Sequence, residues 1–313
     1  METSNLGHFI AVYEKFAQAE NKSERTIEAV TAAAKKFNSS LGGDTNPQDI
    51  TADDLRRYIL CLQERCKWSG HPTIKQDHGN LSPNTIAHHI RHIKSFWSWM
   101  HSEGFLEQNT FARVKTPQET DKVVNTLAPS EVTQLIKVIP RNNHKGYRDS
   151  CIIIALYGTL LRISELLDLP LSSVNFTNGQ ITVVGKGAIE RSVFMSPKTY
   201  KALFKYYSRW RPKVTSEYLF IHEDGTKLTR FYFEHRMQVY VRKANLTKPC
   251  TPHVLRYSGA LELLRSGCDP YTLQQILGHT TMEMTRRYLK IANTDIEKNM
   301  KTFSPAEQID IRF

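Results

Sequence analysis

Two side chains suited to phosphoryl transfer lie near the carboxyl end of the chain. In the segment LGHTTMEMTRRYL (residues 277–289), His279 follows a glycine and Tyr288 comes nine residues later. The residues between them fit a short helix with a basic end. An imidazole can hydrogen-bond a phosphate, and a tyrosine hydroxyl can attack phosphorus. A surface helix carries the same residue types, so this segment alone leaves both interpretations open.

Arg162 and its neighbour Glu165 stand in the most apolar part of the chain. Arg162 follows ALYGTLL, and Glu165 comes three residues later. A guanidinium keeps its proton, so a buried arginine needs a charged partner. We therefore expect Arg162 to be buried and paired with Glu165, either in a functional site or as a structural ion pair.

Three further cations have unusual settings. His253 and Arg256 lie three apart, on one face of a helix that begins after Pro252. The unpaired N–H groups at a helix start favour an anion beside them, although a capping histidine and a solvated arginine would look the same. Lys186 stands between glycines in VVGKGAIERS, a turn between strands, where most lysines are merely exposed.

Taken together, six side chains define one chemistry. The two arginines donate paired hydrogen bonds to the non-bridging oxygens of a phosphodiester, and the two histidines hydrogen-bond the same group. The tyrosine attacks phosphorus and becomes covalently bound, while the lysine protonates the departing sugar oxygen. This scheme requires no metal, cofactor or ATP. The six candidates are Arg162, Lys186, His253, Arg256, His279 and Tyr288.

The order and spacing of these residues resemble the tyrosine recombinase (phage integrase) family. LLRISELLDL is similar to the arginine box of the family, and HVLRYSGALELLRSGCDPYTLQQILGHTTMEMTRRYL to its second box. The resemblance implies a site-specific recombinase that cleaves and rejoins DNA through a 3′-phosphotyrosyl intermediate and a Holliday junction. It implies the six roles just given, with Glu165 orienting the pocket. A type IB-like topoisomerase and a catalytically inactive DNA-binding regulator are the alternatives.

Two positions depart from the family pattern. Leu160 stands where members more often have a glycine, just before the Leu-Arg pair, so we expect a tighter or shifted turn there. Tyr257 follows Arg256, where a second histidine is common. Neither is one of the six reactive groups, so the sequence predicts an active enzyme.

The elements that position these residues are mostly helices. We predict a mainly α fold with a small antiparallel β-sheet, whose strands lie in VNFTNGQITVVGKGAIERSVFM. By resemblance, residues 1–115 form a helical, SAM-like core-binding domain, residues 116–126 a linker and residues 127–313 a mixed α/β catalytic domain. Its carboxyl-terminal tail begins at about residue 290. The resemblance indicates the simple two-domain type, without an arm-binding domain.

One helix of the first domain has two distinct faces. Five apolar residues from Ile86 to Met100 follow helical spacing and predict a buried side. The opposite side carries a polar stripe suited either to contact with DNA or to solvent. The stripe consists of Asn84, His88, Arg91 and Ser95. His88 and His92 lie four apart, but no further ligand completes a metal site, so we expect no bound metal.

Charge and composition narrow the class of partner. The chain has 313 residues and a net charge of +11. Residues 1–120 carry 14 basic and 14 acidic side chains, whereas residues 121–313 carry 28 and 17, so the surplus lies in the second part. Such a surplus favours a polyanionic partner, most commonly nucleic acid. The resemblance implies that this partner is double-stranded DNA at core sites. No apolar run, signal peptide or cysteine pairing indicates a membrane or secreted protein, so we expect a cytoplasmic enzyme, nucleoid-associated when bound to DNA.

The tail suggests an assembly. Ile291, Ile296 and Met300 fit a short amphipathic helix. By resemblance, this tail docks on a neighbouring protomer in a homotetramer on DNA, with accessory DNA-bending proteins as further partners. A tail folded on its own domain is the alternative.

Overall fold

The computed structural model describes residues 5–43, 45–64, 80–118, 125–185, 190–278 and 281–292, together with Ser304. The chain divides into two compact units, Met1–Lys122 and Val123–Phe313. Helices dominate both, and the described strands form one antiparallel sheet of three. The predicted fold class is confirmed. Among the described residues no helix is long and apolar enough to cross a membrane.

The first unit contains four described α-helices. They are α1 (Leu6–Ala19), α2 (Glu24–Ser40), α3 (Ala52–Glu64) and α4 (Pro83–Ser102). Its core is rich in aromatic rings: Trp97 stacks on Phe111 with ring centroids 4.1 Å apart. At the start of α3 the carboxylate of Asp54 accepts a hydrogen bond from the N–H of Thr51 at 2.8 Å and so caps the helix.

The two predicted faces of α4 are both present. Ser82 caps the helix, since its hydroxyl accepts a hydrogen bond from the N–H of Thr85 at 3.2 Å. The five apolar positions are at most 3% exposed, which confirms the buried side. On the opposite side His88, Arg91 and Ser95 are exposed and Asn84 is half-buried. The polar stripe therefore lies towards solvent within its own unit.

The second unit combines eight described α-helices with the sheet. The helices are α5 (Pro129–Lys137), α6 (His144–Thr159), α7 (Ile163–Leu167), α8 (Pro197–Lys205), α9 (Arg230–Lys243), α10 (Pro252–Arg265), α11 (Pro270–Leu277) and α12 (Met282–Ala292). The strands are β1 (Val174–Asn175), β2 (Gln180–Val184) and β3 (Glu190–Phe194). In the register of β2 with β3, Ile181 is opposite Val193 and Thr182 is opposite Ser192.

Helices α6 and α10 form the centre of this unit. Helix α6 lies in the most apolar part of the chain and is buried along most of its length. Gly259 lets α10 approach it closely, because a Cβ at this position would lie only 2.2 Å from the carbonyl oxygen of Tyr157 and 2.8 Å from Cδ2 of Leu160. This close contact fixes α10, which carries His253 and Arg256, against the end of α6.

A buried ion network holds α9 to α6. Arg148 and Asp149 are both 0% exposed. The Asp149 carboxylate accepts hydrogen bonds from the guanidinium groups of Arg148 and Arg236 and from the hydroxyl of Tyr240. These charges are satisfied within the fold, so the network has a structural role.

Candidate active site

The turn that leads into the site has an unusual backbone. Leu160 follows α6 with φ 56° and ψ 25°, the left-handed conformation. A residue with a Cβ takes this conformation at a cost of about 1–2 kcal/mol, whereas glycine adopts it readily. Leu160 thus adopts the backbone conformation that suits a glycine, and the turn does not have to be tighter or shifted as the sequence predicted.

Arg162 immediately precedes α7. Its N–H donates to Oε2 of Glu165 at 2.7 Å, and its Nη1 donates to Oε1 at 2.7 Å. The predicted ion pair is confirmed. The prediction of a buried arginine is wrong, since the side chain is 38% exposed. Its extended backbone (φ −69°, ψ 149°) lies outside the apolar helices on either side, which leaves the guanidinium accessible.

Glu165 is the anion at the centre of an arginine cluster. Besides Arg162, it accepts two hydrogen bonds from Arg191, at 2.9 and 2.6 Å, and lies 3.8 Å from Nη1 of Arg256. Burial alone would raise the pKa of Glu165, but the hydrogen bonds from Arg191 and Arg162 lower it to about 2. The carboxylate stays ionised and holds the arginines in place, as expected of an orienting residue.

Arg191 also belongs to the site, although it is not one of the six residues that the sequence predicts. Its Nε donates to the carbonyl of Ile276 at 3.1 Å, while its other nitrogens bind Glu165. It thereby connects β3 with α7 and with the end of α11. Arg191 shares the inward face of β3 with buried Val193, and a charged residue at an inward position is the signal that the sequence offers.

Arg256 projects from α10 and is 4% exposed. Its Nη2 donates to the carbonyl of Leu277, at the end of α11, at 2.8 Å. Nη1 is buried and has no hydrogen-bond partner within the part of the chain that the structure describes. Burial and the charge of Arg162 lower the pKa of Arg256 to about 10, so it remains a cation at neutral pH. The described residues therefore leave the hydrogen-bonding capacity of Nη1 unused.

His253 lies one turn before Arg256, at the start of α10. Much of its side chain is in solvent. Partial desolvation and the charges of Arg256, Arg162 and Arg230 hold the pKa of His253 below its usual range. A neutral imidazole has one nitrogen that donates a hydrogen bond and one that accepts.

Tyr288 lies on α12 and is 5% exposed. Its hydroxyl is hydrogen-bonded to Arg256. Burial raises the pKa of Tyr288, while Arg256 and Arg162 act in the opposite direction. The phenol is therefore protonated at neutral pH, and its oxygen already lies against the guanidinium that has an unused donor.

The structure brings four of the six predicted residues into one part of the second unit. These are Arg162, His253, Arg256 and Tyr288, connected through Glu165 and through mutual electrostatic interaction. Lys186 and His279 lie outside the described residues. In the described ranges no three His, Cys, Asp or Glu side chains group so as to hold a metal ion.

The ionisation of Glu165 predicts a pH-dependent contribution to stability. Because the folded-state pKa lies below the usual 4.5, the ionised carboxylate stabilises the fold above that pH, and the effect is lost as pH falls towards 2. We expect Glu165→Gln to lower the free energy of unfolding by about 3 kcal/mol near pH 7 and by much less near pH 3. Urea unfolding at both values measures this difference.

The surface residue Glu262 provides the control. Its carboxylate is 38% exposed and lies 3.8 Å from Arg265, so Glu262→Gln should change the unfolding free energy by less than about 1 kcal/mol at either pH. An effect of Glu165→Gln that is equal at both pH values would contradict the assigned pKa.

Comparison with known proteins decides the family. The model of the phage integrase family matches residues 125–294. The chain belongs to this family. Tyrosine recombinase XerD of Staphylococcus aureus is 32% identical over 303 residues, which cover 95% of this chain and 98% of that protein. XerD of Staphylococcus haemolyticus is 31% identical over 265 residues, 80% of this chain and 90% of that protein. This tyrosine recombinase is thus a site-specific enzyme that cleaves and rejoins DNA.

Solved structures share the fold. The Tn1549 transposon integrase in complex with circular intermediate DNA superposes with a TM-score of 0.71 at 21% identity, covering 91% of this chain and 94% of that one. A lambda integrase dimer bound to a COC′ core site gives 0.71 at 14% identity, covering 91% and 95%. The relatives are named as recombinases, so neither the topoisomerase nor the inactive regulator is favoured.

Proposed function

We propose that Arg162 and Arg256 hold the scissile phosphate of a DNA core site while Tyr288 of the same chain attacks it. The observation that carries this proposal is the position of the Tyr288 hydroxyl. It is hydrogen-bonded to Arg256, whose buried Nη1 has no partner within the described residues. Nucleophile and phosphate donor therefore meet at one guanidinium, which supports attack in cis.

The reaction is an in-line exchange at phosphorus. The Tyr288 oxygen forms a bond to phosphorus as the bond to the 5′ oxygen breaks, which leaves a 3′-phosphotyrosyl link and a free 5′ hydroxyl. Lys186 donates the proton that the 5′ oxygen takes up. His253, neutral because of its lowered pKa, is suited to hydrogen-bond the phosphate and to take up the phenol proton. His279 donates a second histidine hydrogen bond to the phosphate.

Rejoining reverses these steps with a different 5′ hydroxyl. Exchange of one strand from each duplex gives a Holliday junction, and exchange of the second pair completes recombination. Because the phosphotyrosyl bond conserves the energy of the broken phosphodiester, each rejoining step is close to the reverse of cleavage. The chain therefore supplies nucleophile, charge stabilisation and proton transfer from its own side chains.

We assign the grip on DNA to both domains. Residues 1–115 form the core-binding domain, residues 116–126 the linker and residues 127–313 the catalytic domain. The exposed stripe of α4 provides hydrogen-bonding groups for bases or phosphates. The stripe residues are Asn84, His88, Arg91 and Ser95. The lambda integrase relative is bound to a core site, which supports the same class of target here.

Assembly and location complete the proposal. The tail from about residue 290 docks on a neighbouring protomer in a homotetramer on DNA, and accessory DNA-bending proteins bring the sites together. The enzyme works in the cytoplasm and is nucleoid-associated when bound. The basic surplus of residues 121–313 supports a DNA-bound state.

Covalent capture on genomic DNA tests the proposed function. Sheared DNA from the encoding organism is incubated with the protein, denatured with SDS, and recovered through the DNA that remains attached to protein. We expect recovered fragments to share one core sequence with inverted repeats, with the protein on a 3′ end. Loss of all DNA in SDS would contradict covalent catalysis, and capture of unrelated sequences would indicate a topoisomerase instead.

A further inference from the structure

The two departures from the family pattern meet at the same place in the fold. Leu160 and Tyr257 belong to a small buried cluster, separate from the main core of the second unit. We call this the tyrosine cluster, because it contains the proposed nucleophile. Among the described residues, its buried members are Leu160, Tyr257, Ala260, Leu273, Leu277 and Tyr288.

Tyr257 is an aromatic neighbour of Tyr288. The ring centroids are 4.4 Å apart and the planes are inclined by 26°, a stacked pair, and Tyr257 is 4% exposed. Stacked aromatic pairs contribute about 0.5–1.5 kcal/mol beyond the burial of their area. Tyr257 directly follows Arg256 on α10. The ring that supports the nucleophile and the guanidinium that binds its hydroxyl therefore come from successive residues of one helix.

Leu160 closes the cluster from the end of α6. Its Cδ2 lies 2.8 Å from the point that a Cβ on residue 259 would occupy, so its side chain covers Gly259 of α10. Leu160 is 3% exposed. A glycine would relieve the strained backbone but would leave this space without a side chain. The left-handed leucine thus contributes packing at a position where backbone strain opposes it.

We propose that Tyr257, supported by Leu160, is a positioning residue that holds Tyr288 docked on Arg256 before DNA binds. This inference rests on the proposed function of Tyr288. The stack shifts the equilibrium of α12 towards the docked state, and the larger part of the effect comes from the ring of Tyr257, not from its hydroxyl. A histidine at position 257 has a smaller and more polar ring and would hold Tyr288 less firmly.

Docking is measured first without DNA. Nitration by tetranitromethane reports the accessibility of Tyr288, and trypsin places that residue in the peptide of residues 288–290, apart from Tyr257. We expect several-fold faster nitration of Tyr288 in Tyr257→Leu than in the wild-type protein or in Tyr257→Phe, which keeps the ring. Equal rates in all three proteins would overturn the proposal.

The second measurement is single-turnover formation of the covalent adduct, on a nicked duplex with the captured core sequence. Loss of the stack should lower the maximal rate by about 2–10-fold, the equivalent of 0.5–1.5 kcal/mol, with unchanged DNA affinity. Tyr257→Phe should restore the rate. A fall in affinity with unchanged maximal rate, or an equal loss in both variants, would contradict a positioning role.

A second stack in the same unit supplies the control. Tyr207 stacks on Phe176 with ring centroids 5.0 Å apart and planes inclined by 18°. Neither residue belongs to the candidate site. Tyr207→Leu should leave both measurements unchanged. If the wild-type protein forms no adduct, the proposed function fails. If it forms one and Tyr257→Leu equals the wild-type protein in nitration and rate, only the positioning role fails.

Discussion

Replacement of Arg256 by lysine or alanine is expected to lower the rate of covalent adduct formation by about 10²–10³-fold, the effect of removing one preorganised donor from a site of developing negative charge. The guanidinium has several simultaneous contacts. Nη2 donates to the carbonyl of Leu277, and the guanidinium is hydrogen-bonded to the Tyr288 hydroxyl. Nη1 has no hydrogen-bond partner within the described residues, and we propose that it binds the phosphate. A lysine keeps the charge but cannot reproduce this planar set of donors.

Single-turnover cleavage of the nicked core duplex measures this effect, with the free energy of unfolding measured in parallel. Arg265 is the matched control, because it lies on the same helix and is 51% exposed. Arg265→Ala should retain the wild-type rate. A rate for Arg256→Lys within about tenfold of the wild-type rate would mean that charge alone is sufficient and that the fork geometry is not required.

Tyr288→Phe is expected to bind DNA with unchanged affinity and to form no covalent adduct. The substitution keeps the ring stacked on Tyr257 and removes only the oxygen that forms the bond to phosphorus. Tyr257→Phe makes the same chemical change one ring away and should still give the adduct. An SDS-resistant adduct of Tyr288→Phe would assign the nucleophile to another residue.

Helix faces and local ion pairs could be predicted from the sequence because they depend on short spacings. The apolar side of α4 and the pair of Arg162 with Glu165 follow from steps of three and four residues. The exposure of Arg162 could not be predicted in this way. It depends on where α6 ends and on the extended backbone that follows Leu160.

Contacts between distant segments could not be predicted from the sequence alone. Arg191 reaches Glu165 across 26 residues and Ile276 across 85, so its place in the site depends on how β3 meets α7 and α11. The same is true of the buried network of Asp149 with Arg236 and Tyr240. Composition and periodicity do not determine which distant segments of a chain come into contact.

The family pattern was informative even where the chain departs from it. Leu160 and Tyr257 are exceptions to that pattern, the first with an expected change of turn and the second with no expected consequence, and the fold places both in one cluster with Tyr288. Leu160, in place of the family's glycine, was expected to alter a turn, but its side chain instead fills space against Gly259. Both departures therefore bear on the surroundings of the proposed nucleophile.

The most direct test of Tyr288 as the nucleophile is to identify the residue that carries DNA. The adduct is trapped on the nicked core duplex, the DNA is digested to a short remnant, and the protein is cleaved with trypsin. Tyr288 is then released in residues 288–290 and Tyr257 in residues 257–265, so mass spectrometry separates the two stacked rings. We predict a nucleotide on Tyr288. A nucleotide on the peptide of residues 257–265, or on any other peptide, would contradict the account.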